Sequence, residues 1–107
     1  MADTNFYNGT STIYNIEEWL TPTSKASPAE AIQILSRKKR AKVSVTTDLE
    51  MAERFAINKA QQVGGEPIVY IVEPDKASIL RVSKSIYSTY KAKIIGEIKY
   101  EDFETKL

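Results

Sequence analysis

A chain of 107 residues with ordinary globular composition (hydrophobic 42%, charged 27%) has the size of one domain and too much apolar content for a disordered segment. Lys+Arg 15 against Asp+Glu 14 leaves a net charge of +1, so the chain as a whole carries no electrostatic footprint for nucleic acid or membrane. The absence of cysteine and histidine excludes disulfides, thiolate nucleophiles, His-based metal sites and Ser-His triads. Catalysis by this chain has carboxylates, hydroxyls, Lys, Arg and backbone dipoles to work with.

The first residues, Met1 to Asn5, show no basic or apolar leader pattern, and the longest apolar run, Ile68 to Val72, is too short to span a bilayer. The expectation is a soluble, cytoplasmic protein. Phe6-Tyr7-Asn8-Gly9-Thr10 is β-prone and runs into a glycine, where the backbone bends or admits a ligand closely. Ile13, Ile16, Trp19 and Leu20 recur at helical spacing and predict a short helix or turn, ended by Thr21-Pro22-Thr23-Ser24. Ser27-Pro28-Ala29-Glu30 is a helix start with a capping box. The predicted helix runs from Pro28 to about Lys39 with Ala31, Ile32 and Leu35 inward, and ends in the basic run Arg37 to Arg40.

Lys42 to Thr46 alternates as a strand. Thr47 to Glu50 is a second capping signal, and Ala52, Phe55, Ala56, Ala60 and Val63 form an apolar stripe on a helix that Gly64-Gly65 terminates. Phe55 and Ala56 are expected to lie on the sheet. Ile68 to Val72 is apolar throughout, as in a central strand covered on both faces and stopped by Glu73-Pro74-Asp75. Ile79 to Val82 predicts a short strand, Ser83 to Tyr90 a loop, Lys93 to Tyr100 a last strand, and Glu101 to Leu107 a frayed or edge tail. Helices early and strands late give an α+β fold: a mixed or antiparallel sheet with two or three helices packed on it.

Several segments resemble the ADP-ribosyltransferase superfamily, closest to its small rifamycin-modifying branch. Phe6-Tyr7-Asn8-Gly9-Thr10 is similar to that branch's opening Phe-Tyr-His-Gly-Thr. Val43 to Thr47, Asp48 to Glu50 and Ala52 to Ala60 are similar to its next strand, acidic turn and Ala-rich helix. Tyr70-Ile71-Val72-Glu73-Pro74 matches its Tyr-Ile-Val-Glu-Pro strand, and Lys93 to Ile98 is similar to a late strand reading Arg-Ile-Val-Gly-Val-Val. The segments stand in family order and cover most of the chain.

The resemblance implies a split, sheet-lined cleft that holds NAD, as substrate, or ADP-ribose, with no metal. The implied contacts to the dinucleotide are Tyr7, Asn8, Gly9, Thr10 and Ser44, with Tyr14, Tyr87 and Tyr90 as stacking candidates. Asn8 stands where the family has its ribose-orienting His, and Ser44 where it has a Tyr. The implied carboxylate that steadies the ribosyl cation is Glu97 or Asp75. Each has a plainer reading. Asn8 and Asp75 are also ordinary turn residues, Glu97 an outward residue on a strand, the tyrosines rim packing, and Arg37 to Arg40 with Lys42 a solvated helix end.

Two functions follow from the resemblance. One is mono-ADP-ribosyl transfer from NAD to an unknown acceptor, protein or RNA among them. The other is a catalytically degenerate module, an inhibitor or accessory protein, that binds NAD, ADP-ribose or a protein. RNA-directed chemistry is a third, because RNA 2′-phosphotransferases share the fold; the basic run alone supports it. No DNA-binding motif and no classical Gly-rich phosphate loop is present.

Overall fold

In the computed structural model, residues 5–14, 16–22, 24–25, 29, 32 and 42–104 are described. The segments expected as longer strands form β1 (Phe6–Ser11), β3 (Val43–Thr46), β4 (Pro67–Pro74) and β7 (Ala92–Lys99). Three shorter strands join them: β2 (Trp19–Leu20), β5 (Leu80–Arg81) and β6 (Ile86–Thr89). They make one sheet in the order β2-β7-β4-β1-β3-β6-β5, antiparallel at every pairing.

One helix, α1 (Leu49–Val63), packs on the sheet. Asp48 caps its start, accepting from the Met51 N–H at 3.2 Å, and Thr46 Oγ1 accepts from the Asp48 N–H at 3.1 Å. Gly64, at φ 88°, closes its end and donates to the Ala60 carbonyl at 2.8 Å. A left-handed residue at that place is what ends many helices, and glycine takes it without strain.

β4 is the middle of the hydrophobic interior. On one face Ile68, Tyr70 and Val72 pack with Leu20, Val43, Val45 and Ala92. On the other Val69 packs with Ala52, Ala56 and Ile57 of α1 and with Phe103. The near-continuous apolar run is therefore what a strand buried on both faces requires.

Where the fold departs from expectation, tertiary pairing is the reason. Ile13, Ile16, Trp19 and Leu20 do not share a helix: Thr12 to Tyr14 is a turn, and Trp19–Leu20 is an edge strand against Lys93 and Ala92 of β7. Ser83 to Tyr90 contains β6, which pairs residue for residue with β3. Beyond β7, Tyr100–Asp102 is a single 3-10 turn that delivers Phe103 into the core, so the expected tail is packed as far as Glu104; its last residues, 105–107, lie outside the described residues. The expected helix from Pro28 to Lys39, its capping box and Arg37 to Arg40 lie outside the described residues, apart from Ala29 and Ile32. Those two are helical, and Ile32 is 69% exposed, not inward. Of the two or three helices expected, α1 is the one whose full length is described.

The buried face of α1 is Ala52, Glu53, Ala56 and Ile57. Phe55 is 49% exposed and does not lie on the sheet. At about 100° per residue it stands about 130° from the centre of that face. Glu53, 1% exposed, accepts from the Glu104 N–H at 3.1 Å and so ties the C-terminal segment to the helix.

Candidate functional site

β1 and β4 share six partner pairs, whereas β1 and β3 share one, Tyr7 with Thr46. Past that pair the backbone ladder stops and the side chain of Asn8 takes over. Its Nδ2 donates to the Ser44 carbonyl at 2.9 Å. The sheet thus has a notch between β1 and β3, and α1 runs along it.

The notch opens into a cleft of about 500 Å³. Tyr7, Asn8 and Gly9 of β1 and Ser44 to Thr46 of β3 form its floor, and Phe55, Asn58, Lys59 and Gln62 of α1 form one wall. Volumes of this order hold small organic ligands. Gly9 is required here because α1 comes very close. A Cβ at this position would run into the Ala52 carbonyl oxygen and sit 2.9 Å from the Ala56 nitrogen. That close approach brings Asn58, Lys59 and Gln62 over the strand.

Lys25 closes the other side. The turn from Thr21 to Ser24 is held by the Thr21 N–H donating to Ser24 Oγ at 2.8 Å and the Ser24 N–H donating to the Thr21 carbonyl at 3.1 Å. Lys25 follows, and its Nζ donates to Asn8 Oδ1 at 2.8 Å. The Asn8 amide is therefore fixed in orientation, with its nitrogen towards β3 and its oxygen towards Lys25. Burial, and then the positive charge of Lys59, push the Lys25 amine down to about 8. Lys59 Nζ also sits over the Tyr14 ring, 5.7 Å from its centroid. Asn8, Lys25 and Ser44 form a shared wall with a smaller cavity of about 230 Å³, lined also by Leu20, Pro22 and Lys42.

Of the residues singled out from the sequence, Tyr7, Asn8, Gly9 and Ser44 come together in this cleft. Thr10 is fully buried in β1 beside it and does not line it. Tyr87 packs edge-on against Phe6, with centroids 5.3 Å apart, and Tyr90 lies under Lys42 at 5.4 Å; neither lines the cleft. Glu97 of β7 is exposed and pairs with Tyr70 of β4, which in turn pairs with Asn8 of β1. That row places Glu97 two strands from Asn8, about 10 Å away at the usual strand spacing. Burial, and then the Glu97 charge, raise the Tyr70 phenol above its ordinary value. Asp75 holds a turn, its Oδ2 accepting from Ser78 Oγ at 2.8 Å.

Sequence reasoning passed over Lys25, Asn58, Lys59 and Gln62, and it set Phe55 on the sheet rather than in the cleft. The one available signal was Asn58-Lys59 and Gln62 breaking the apolar stripe one turn beyond Phe55. Among the described residues, two lysines and no carboxylate line the cleft, and no group of carboxylates is placed to hold a metal ion. No described helix is long and apolar enough to cross a membrane. Comparison of the chain with family models, with curated proteins and with solved structures gives no match.

Proposed function

We propose that the β1–β3 cleft binds an anionic dinucleotide of the NAD or ADP-ribose class and that the domain is a binding module rather than an active transferase. The observation that carries this reading is the make-up of the cleft: Lys25 and Lys59 face it with the amides of Asn8, Asn58 and Gln62, without a carboxylate among the described lining residues. Two lysines suit a pyrophosphate, for which an ammonium acts as a point charge. The amides offer donors and acceptors to ribose hydroxyls and base edges. The half-exposed Phe55 ring offers a flat surface for a base.

Transfer needs a negative group where positive charge develops on the ribose. Glu97 and Asp75, the two carboxylates the resemblance nominates, stand away from the cleft. Binding without turnover separates affinity from rate, because ground-state contacts survive while the transition state lacks support.

The test is a pair of measurements. ADP-ribose or NAD at a hundred times its dissociation constant adds about 2.7 kcal/mol of stability, a rise of about 10–20 °C in melting temperature for a domain this small. Nicotinamide release from NAD stays at background in the same samples. Rapid release abolished by Glu97→Gln would make the domain a transferase. No shift with either ligand at millimolar concentration would leave the notch as a protein-binding surface.

A further inference from the structure

Lys25 is more than a fixed positive charge. Among the described residues its amine has one hydrogen-bond partner, a neutral amide oxygen, and it faces a cleft large enough for an organic molecule. A neutral amine keeps that bond, since it still has N–H groups to donate, so losing its proton does not release the side chain. The described groups facing it are Asn8 and Tyr7 from β1, Ser44 of β3 with Lys42 just before it, and Lys59 from α1. The charged ones among them are both cations. A desolvated lysine beside a second cation is the arrangement that makes an amine nucleophilic near neutral pH.

We infer that Lys25 forms a Schiff base with the aldehyde of an anionic carbonyl compound seated in the cleft, while Lys59 holds the compound's anionic group. The inference goes beyond the nucleotide reading and does not depend on it. In the condensation the amine lone pair attacks the carbonyl carbon and the carbonyl electron pair moves to oxygen. The resulting carbinolamine loses its oxygen as water, and a C=N bond forms. Both protons of that water's balance come from the amine nitrogen, so no oxidant, reductant or metal takes part. The position of the amine near 8 agrees with the geometry. At pH 7.5 it leaves the neutral form roughly two hundred times more populated than in an ordinary lysine.

The experiment labels the folded, full chain with limiting pyridoxal 5′-phosphate or pyridoxal at pH 7.5, reduces with borohydride, and maps the modified peptides. Lys25 is expected to react at least about tenfold faster than exposed Lys76 and Lys84. Lys25→Arg removes that adduct and keeps the charge. Lys59→Gln is expected to lower the ratio of phosphorylated to unphosphorylated probe at Lys25 at least about fivefold. Labelling at Lys25 no faster than at Lys76 and Lys84 overturns the nucleophile, and it is read on the wild-type chain even if a variant fails to fold. An unchanged probe ratio in Lys59→Gln overturns the anion-holding role.

Discussion

Gly9→Ala tests the packing that builds the cleft. The added methyl group meets backbone, not a side chain: the Ala52 carbonyl oxygen, with the Ala52 carbonyl carbon and the Ala56 nitrogen each 2.9 Å away. No rotamer change relieves such a clash. Helix α1 must retreat from β1, and Val69, Ala52, Ala56 and Phe103 lose contact together. Overpacking of a core costs about 1–3 kcal/mol, and a backbone clash belongs at the upper end. For a domain of this size about 3 kcal/mol is a drop of about 12–24 °C in melting temperature. Gly96→Ala is the control. Its Cβ would sit 3.3 Å from Ile71 Cδ1, the free end of a side chain that can turn away, so its loss is expected below about 1 kcal/mol. Urea unfolding of both variants gives the two numbers. Equal losses, or a loss below about 0.5 kcal/mol for Gly9→Ala, would mean that α1 is not seated on Gly9.

Other substitutions separate core from cleft. Phe55→Ala is expected to cost less than about 1.5 kcal/mol, because half of the ring is already in water; a loss of 3 kcal/mol or more in urea unfolding would put the ring back on the sheet. Phe103→Ala is expected to cost about 3–4 kcal/mol by the same measurement, since the ring is buried against α1 and stacks edge-on with Tyr100 at 5.5 Å; a loss below 1 kcal/mol would mean that the C-terminal segment is not docked. Stability is expected to rise with pH above 8. The folded Lys25 pKa lies below its ordinary 10.5, so above about 8 the unfolded chain binds more protons than the folded one. Tyr70, raised from 10.0, acts oppositely as pH climbs past 10, so the rise is read between 8 and 10. Lys25→Met should flatten it; parallel melting curves against pH for both proteins would contradict a buried amine.

The parts of the fold set by local chemistry were legible in the sequence. Asp48 and Gly64 mark the ends of α1, and the apolar run at Ile68 to Val72 marks a strand covered on both faces. What long-range pairing makes was not. Trp19–Leu20 is a strand only because β7 lies beside it, and Ile86–Thr89, set within the polar stretch from Ser83 to Tyr90, pairs along its whole length with β3. Ile95 shows a related effect. Ile71 pairs with Gly96 and Val72 with Ile94, so Ile95 is the extra residue of a bulge, and Ile94 and Ile98 go to opposite faces. A strict alternation read along β7 puts them on one face. Phe55 misled because its spacing from Ala52 suits an apolar stripe, while the contact of Ala52 and Ala56 with Gly9 turns that face of the helix to the sheet and Phe55 to the cleft. The first half of the site, Tyr7 to Gly9 with Ser44, came from one recognisable segment and its partner strand. Lys25 and Lys59 carry no motif: they are 34 positions apart, and the fold alone brings their charges to one cleft.

Binding of an anionic dinucleotide through the two lysines of the β1–β3 cleft is open to direct measurement. ADP-ribose is titrated into the wild-type chain and into Lys59→Gln, and backbone amide shifts are followed. Saturable shifts are expected at Gly9, Ser44, Asn58 and Gln62, with affinity at least about fivefold weaker in Lys59→Gln and falling as salt rises. Shifts confined to residues outside the cleft, or affinity indifferent to both Lys59 and salt, would contradict it.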